Sequence, residues 1–111
     1  MNRGDIILVD FEPARPTEAN KIRPSVLITN DQANTYGTNV MVVPLTSNVS
    51  RIYPFQLFLP SEQTGLDNDS KAQVELTRSV SKGRLGKRVG SLPHALLKQL
   101  NERLKLHIDL P

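Results

Sequence analysis

Ser91-Leu92-Pro93-His94-Ala95-Leu96-Leu97-Lys98-Gln99-Leu100-Asn101-Glu102-Arg103-Leu104-Lys105-Leu106-His107-Ile108 is the one long stretch of this 111-residue chain with a helical period. Leu96, Leu97, Leu100, Leu104 and Ile108 fall on a single stripe, and Lys98, Gln99, Glu102, Arg103 and Lys105 lie mostly off it. Ser91 is placed to cap the helix and Pro93 to sit in its first turn. Everything upstream reads as strands. With the strands first and the long helix last, no strand–helix–strand crossover forms, so the sheet is antiparallel. The expected class is α+β: a small, strongly bent antiparallel sheet or half-barrel with the C-terminal helix packed on it.

The strands follow from β-branched content and period. Residues 3–11 carry Ile6-Ile7-Leu8-Val9 and read as the first strand. Residues 25–29 form the second, with Pro24 at its first position, where a missing N–H is tolerated. Asn30 or Asp31 can cap a single helical turn that Tyr36-Gly37-Thr38-Asn39 ends. Residues 40–46 are nearly continuous in apolar side chains, which predicts a third strand buried on both faces. Residues 53–59 read as a fourth strand and 60–69 as a loop. Residues 72–80 alternate apolar and polar and predict a fifth strand with one wet face; 85–89 add a short sixth.

The length suits one domain over residues 1–111. With no cysteine, disulfides and thiolate metal sites are excluded, which fits a cytoplasmic setting. The apolar run Ile6-Ile7-Leu8-Val9 is too short for a signal peptide, and no run reaches the length of a membrane span. Net charge is +3, unevenly placed. Between residues 71 and 88, Lys71, Arg78, Lys82, Arg84, Lys87 and Arg88 stand against Glu75 alone. A local cationic field of this kind attracts polyanions such as nucleic acid.

Between the first two strands runs Glu12-Pro13-Ala14-Arg15-Pro16-Thr17-Glu18-Ala19-Asn20-Lys21-Ile22-Arg23-Pro24. Its prolines exclude helix and central strand, and connections of this length in small domains are commonly functional. Several site types are absent. His94 and His107 lie thirteen residues apart, not at the i, i+4 spacing of a helical metal pair. Asp67-Asn68-Asp69 lacks the downstream glutamate of a calcium loop. No phosphate-binding glycine motif or nucleophile elbow occurs. What remains is Arg, Thr, Glu, Lys and Gln, a set suited to holding a phosphodiester. Arginine forks onto phosphate oxygens and keeps its proton at neutral pH. RNA carries its own nucleophile, the 2′-hydroxyl, so positioning and electrostatics can suffice. Arg23 and Thr46 each lie where a strand meets a loop, and a rigid sheet could present both to one phosphate.

Arg3-Gly4-Asp5-Ile6, Thr17-Glu18, Lys21-Ile22-Arg23-Pro24 and Thr29-Asn30-Asp31 occur in that order. Val43-Pro44-Leu45-Thr46-Ser47, Tyr53-Pro54-Phe55 and Ser70-Lys71-Ala72-Gln73-Val74 follow them. The series resembles the MazF/PemK family of bacterial toxins over nearly the whole chain. That resemblance implies an SH3-like, PemK/CcdB-like half-barrel and a metal-independent endoribonuclease without a cofactor. It implies cleavage of single-stranded RNA, leaving a 2′,3′-cyclic phosphate (or 3′-phosphate) and a 5′-hydroxyl. By position Arg23 matches the catalytic arginine, Thr46 the catalytic threonine and Glu18 a loop glutamate near the active site. Lys21, Ser47, Lys71, Gln73, Arg78, Lys82 and Arg84 are the residues expected to contact RNA. A homodimer and a cognate MazE-like antitoxin, whose disordered tail occupies the RNA groove, are the partners implied. The first loop is poorer in glycine than in relatives, which stiffens it around Glu18.

Two rival readings share this architecture. A CcdB-like toxin would bind gyrase and has no reason to keep Arg23 with Thr46. A non-catalytic small barrel would stack bases on exposed aromatics. Most of Phe11, Tyr36, Tyr53, Phe55 and Phe58 are expected in the core, which disfavours it.

Overall fold

In the computed structural model of the chain, which describes residues 1–11 and 22–111, β1 (Asp5–Asp10) and β2 (Ile22–Leu27) pair antiparallel. Ile6 stands opposite Val26, and Val9 opposite Arg23. Pro24 lies within β2 rather than at its start. A short helix, α1 (Asp31–Tyr36), follows, and the Asn30 side chain caps it by accepting from the Ala33 N–H at 2.8 Å. β3 (Asn39–Thr46) then returns beside β2. The remainder comprises β4 (Leu57–Leu59), α2 (Ser61–Thr64), β5 (Ser70–Ala72), β6 (Arg78–Ser81), β7 (Leu85–Ser91) and α3 (His94–His107). Every pairing is antiparallel, in the order β4-β5-β3-β2-β1-β7, with β6 also on β3.

Strand β3 is the spine, and it is buried on both faces from Val42 to Leu45, as its apolar run predicts. Val43 and Leu45 pack with Ile6, Val26, Leu59 and the α3 residues Leu96 and Leu100. Val40 and Val42 pack on the other face with Ile7, Val9, Phe11, Leu27 and Val80. The side-chain period of two sends neighbours to opposite cores.

The expected strand over 72–80 is broken. β5 pairs with the C-terminal end of β3 and β6 with its N-terminal half. From Leu45 back to Val42 is three steps of β3, matched by six steps of its partner from Ala72 to Arg78. The three surplus residues coil as a 3₁₀ turn, Val74–Leu76. Pro44 sits at this break; without an N–H it cannot complete a ladder, and its carbonyl accepts from the Gln73 N–H at 2.9 Å. The bent sheet results. The fourth strand is also shorter than expected, because the Gln56 N–H bonds the Tyr53 carbonyl and closes a turn before Leu57. The expected loop over 60–69 contains α2.

At the C-terminus, Ser91 belongs to β7, opposite Asp5, and Pro93 occupies the cap of α3. Ile108 lies past the last turn and is exposed, so the buried stripe ends at Leu104. The aromatics depart furthest from expectation. Phe11 is buried and Phe55 half-buried, but Tyr36, Tyr53 and Phe58 are 82%, 43% and 38% exposed. Tyr36 ends α1, Tyr53 opens a turn and Phe58 faces outward from β4, and the apolar count of the sequence says nothing about such directions. No helix among the described residues is long and apolar enough to cross a membrane.

Candidate active site at the end of the β2–β3 ladder

The β2–β3 pairing runs to Ser25 opposite Pro44, and two residues further along each strand stand Arg23 and Thr46. Val9 pairs with Arg23 across β1 and β2, and Thr46, Lys71 and Phe58 form a row across β3, β5 and β4. Arg23 lies close to where β2 begins and Thr46 is the last residue of β3.

Arg23 is half-buried, and its Nη1 donates to Gln73 Oε1 at 3.3 Å. Gln73 is itself tied to β3 through the Pro44 carbonyl, so the guanidinium is oriented from two strands. The Thr46 Oγ1 accepts from the Asn48 N–H at 3.2 Å, which leaves its own proton to donate elsewhere. Around them lies a cleft of about 340 Å³. Arg23, Thr46, Ser47, Asp67 and Asn68 contribute its polar lining, and Leu8, Leu45 and Leu66 its apolar part. A half-buried arginine beside a free hydroxyl proton can grip an anion and hold it in one orientation.

The remaining sequence-derived residues fall in different places. Ser47 lines the cleft with Arg23 and Thr46. Glu18 and Lys21 lie outside the described residues. Lys71 turns away from solvent; it is 8% exposed and its Nζ donates to the Arg51 carbonyl at 2.5 Å. Arg78, Lys82 and Arg84 are not part of the cleft lining. The Arg78 guanidinium lies 5.2 Å from the Phe11 ring centroid, and Arg84 Nη1 donates to the Asp10 carbonyl at 3.3 Å. These two gather at the end of β1, and Lys82 opens the 3₁₀ turn beside them.

Asp67 and Asn68 are cleft residues that sequence reasoning passed over, because their only legible signal was an incomplete calcium loop. Their neighbour Asp69 has a structural use: its Oδ1 accepts from the Ser61 N–H at 2.9 Å at the start of α2. His94 and His107 are both exposed on α3. Among the described residues no group of three His, Asp or Glu side chains could hold a metal ion.

The family model for PemK-like, MazF-like toxins of type II toxin–antitoxin systems matches residues 2–108. Over 115 aligned residues the chain is 48% identical to Endoribonuclease MazF9 of Mycobacterium tuberculosis, covering 99% of this chain and 98% of that one. It is 31% identical to Endoribonuclease MazF of Staphylococcus saprophyticus over 111 residues, covering 99% and 92%. Among solved structures, the M. tuberculosis toxin MazF-mt6 superposes with a TM-score of 0.81 at 22% identity, over 96% of this chain and 98% of that one. A mycobacterial endoribonuclease in complex with its cognate antitoxin gives 0.80 at 19% identity, over 100% and 97%. The structural likeness carries the bent sheet and its terminal helix, and the sequence match spans both the β2–β3 ladder and the loops around the cleft. On these grounds the chain belongs to the PemK-like, MazF-like toxins of type II toxin–antitoxin systems.

Proposed function

We propose that this chain is a toxin endoribonuclease that cuts single-stranded RNA by activating the substrate's own 2′-hydroxyl. The observation that carries the reading is that Arg23 and Thr46 line one cleft. The 2′-oxygen attacks phosphorus, a 2′-O–P bond forms and the P–O5′ bond breaks. The products are a 2′,3′-cyclic phosphate and a 5′-hydroxyl. Arg23 neutralises the charge that grows on the equatorial oxygens, and Thr46 donates to one of them. Glu18 is the carboxylate the sequence offers for the 2′ proton, which passes to solvent while the leaving 5′-oxygen takes up another. No step needs a metal or a cofactor.

The same reading gives the partners. Family membership supports a cognate MazE-like antitoxin peptide that competes for the RNA surface, and a homodimer in the cytoplasm. Exposed Tyr53 and Phe58 offer stacking faces that an enzyme and a non-catalytic binding module would share. Pairing Arg23 with Thr46 is what only the enzyme requires.

Purified protein incubated with single-stranded RNA in excess EDTA decides the matter. Fragments ending in cyclic phosphate and 5′-hydroxyl are expected, and they should disappear with Arg23→Ala. Fragments with 5′-phosphate ends, or cleavage abolished by EDTA, would overturn the scheme.

A further inference from the structure

Lys71, expected to meet RNA, is instead one of the few buried charged side chains among the described residues. A buried ammonium is retained where its donors find acceptors. The acceptor here is the main-chain carbonyl of Arg51, at 2.5 Å and twenty residues distant in sequence. Arg51 lies midway along the segment that leaves Thr46 and rejoins the sheet at β4. The other bonds at the start of that segment are local: Asn48 N–H to Thr46 Oγ1, and Ser50 to Asn48 Oδ1. Its far end is held through Gln56, which accepts from the Tyr53 N–H and donates to Glu75 Oε2. Between these ends, among the described residues, the bond from Lys71 is what ties the main chain to the sheet. Lys71 stands opposite Thr46 on the neighbouring strand, so one residue pairs with Thr46 and bonds the segment that follows it.

We propose that Lys71 is a positioning residue, a brace that fixes the segment following Thr46 and keeps the Thr46 hydroxyl aimed into the cleft, and that it does not bind phosphate. Its kinetic consequences rest on the ribonuclease reading; its structural consequence does not. In the full chain, Lys71→Met should exchange the amide hydrogens of Asn48, Ser50 and Tyr53 about tenfold faster. It should lower kcat by roughly ten- to a hundredfold, since small misplacements at a reacting centre cost that much. The slope of log KM against log salt should keep its parental value.

Rescue is unusually clean because the chain has no cysteine. Lys71→Cys, alkylated with bromoethylamine in denaturant and refolded, restores an ammonium of lysine length and should restore both exchange and kcat. Should Lys71→Met fail to fold, the parental protein decides: the ¹⁵N-labelled Lys71 ammonium signal persists unmoved when an uncleavable 2′-O-methyl oligoribonucleotide is added. A salt slope reduced by about one with parental kcat and exchange, or an ammonium signal shifted by the oligonucleotide, would make Lys71 a phosphate ligand and overturn the proposal. Faster exchange in the variant of a protein that cuts no RNA would leave the brace standing and remove the ribonuclease reading instead.

Discussion

Arg23 sits near the start of β2, where its backbone pairs with Val9 and its guanidinium bonds Gln73. That arrangement predicts how substitutions rank. Arg23→Ala should lower the cleavage rate by about a hundred- to a thousandfold, the usual loss of about 2.7–4 kcal/mol for a preorganised charge-stabilising donor. Arg23→Lys keeps the charge but not the fork, so single-turnover rates should recover only in small part. Thr46→Val preserves shape and removes the hydroxyl; kcat should fall while RNA affinity, read by fluorescence anisotropy, stays close to parental. Equal loss of affinity and rate would show that Thr46 grips substrate and transition state alike. Arg23 and Thr46 were legible in sequence because each stands at a strand–loop junction. The bond between Arg23 and Gln73 was not, since it spans fifty residues and depends on where β5 ends.

At the scale of elements, β-branched and apolar runs, with alternation over 72–80, gave six expected strands where the sheet has seven, and they missed the break in 72–80. Period-two patterning continues straight through Gln73-Val74-Glu75, and nothing local announces that three residues will coil away from β3. The cause lies elsewhere in the chain, at Pro44. Short α2 was likewise hidden, since its four residues are too few for a helical period and its N–H partner comes from Asp69. Gly90 records how closely α2 approaches β7: a Cβ there would fall on the Thr64 carbonyl oxygen. Gly90→Ala should therefore destabilise the fold by about 1–3 kcal/mol, seen as a lower urea midpoint at unchanged slope. Gly83 meets nothing nearer than the Ser81 Oγ at 3.8 Å, so Gly83→Ala should stay within about 0.5 kcal/mol of parental. If both glycines tolerate alanine equally, α2 does not rest on β7 as described.

Taken whole, the proposed site lies at the border of the larger core, with Leu45 shared between core and cleft lining. Helix α3 closes the core that contains Leu45, Leu59 and Leu100, while Arg23 and Thr46 are carried by β2 and β3. Leu100 is fully buried on the helix and touches the larger core rather than the cleft. Leu100→Ala should cost about 2–5 kcal/mol through lost burial and a residual cavity. For a domain of this size that lowers Tm by roughly ten degrees or more. Total stability of folded domains is about 5–15 kcal/mol, so much of the variant should remain folded at room temperature. In that folded fraction, kcat per native molecule should lie within about twofold of parental, because no α3 residue lines the cleft that holds Arg23 and Thr46. Thermal unfolding and single-turnover cleavage on the same preparation check both halves. A variant that keeps its Tm but loses its rate would mean that the helix reaches the site by a route the strand ladder does not supply.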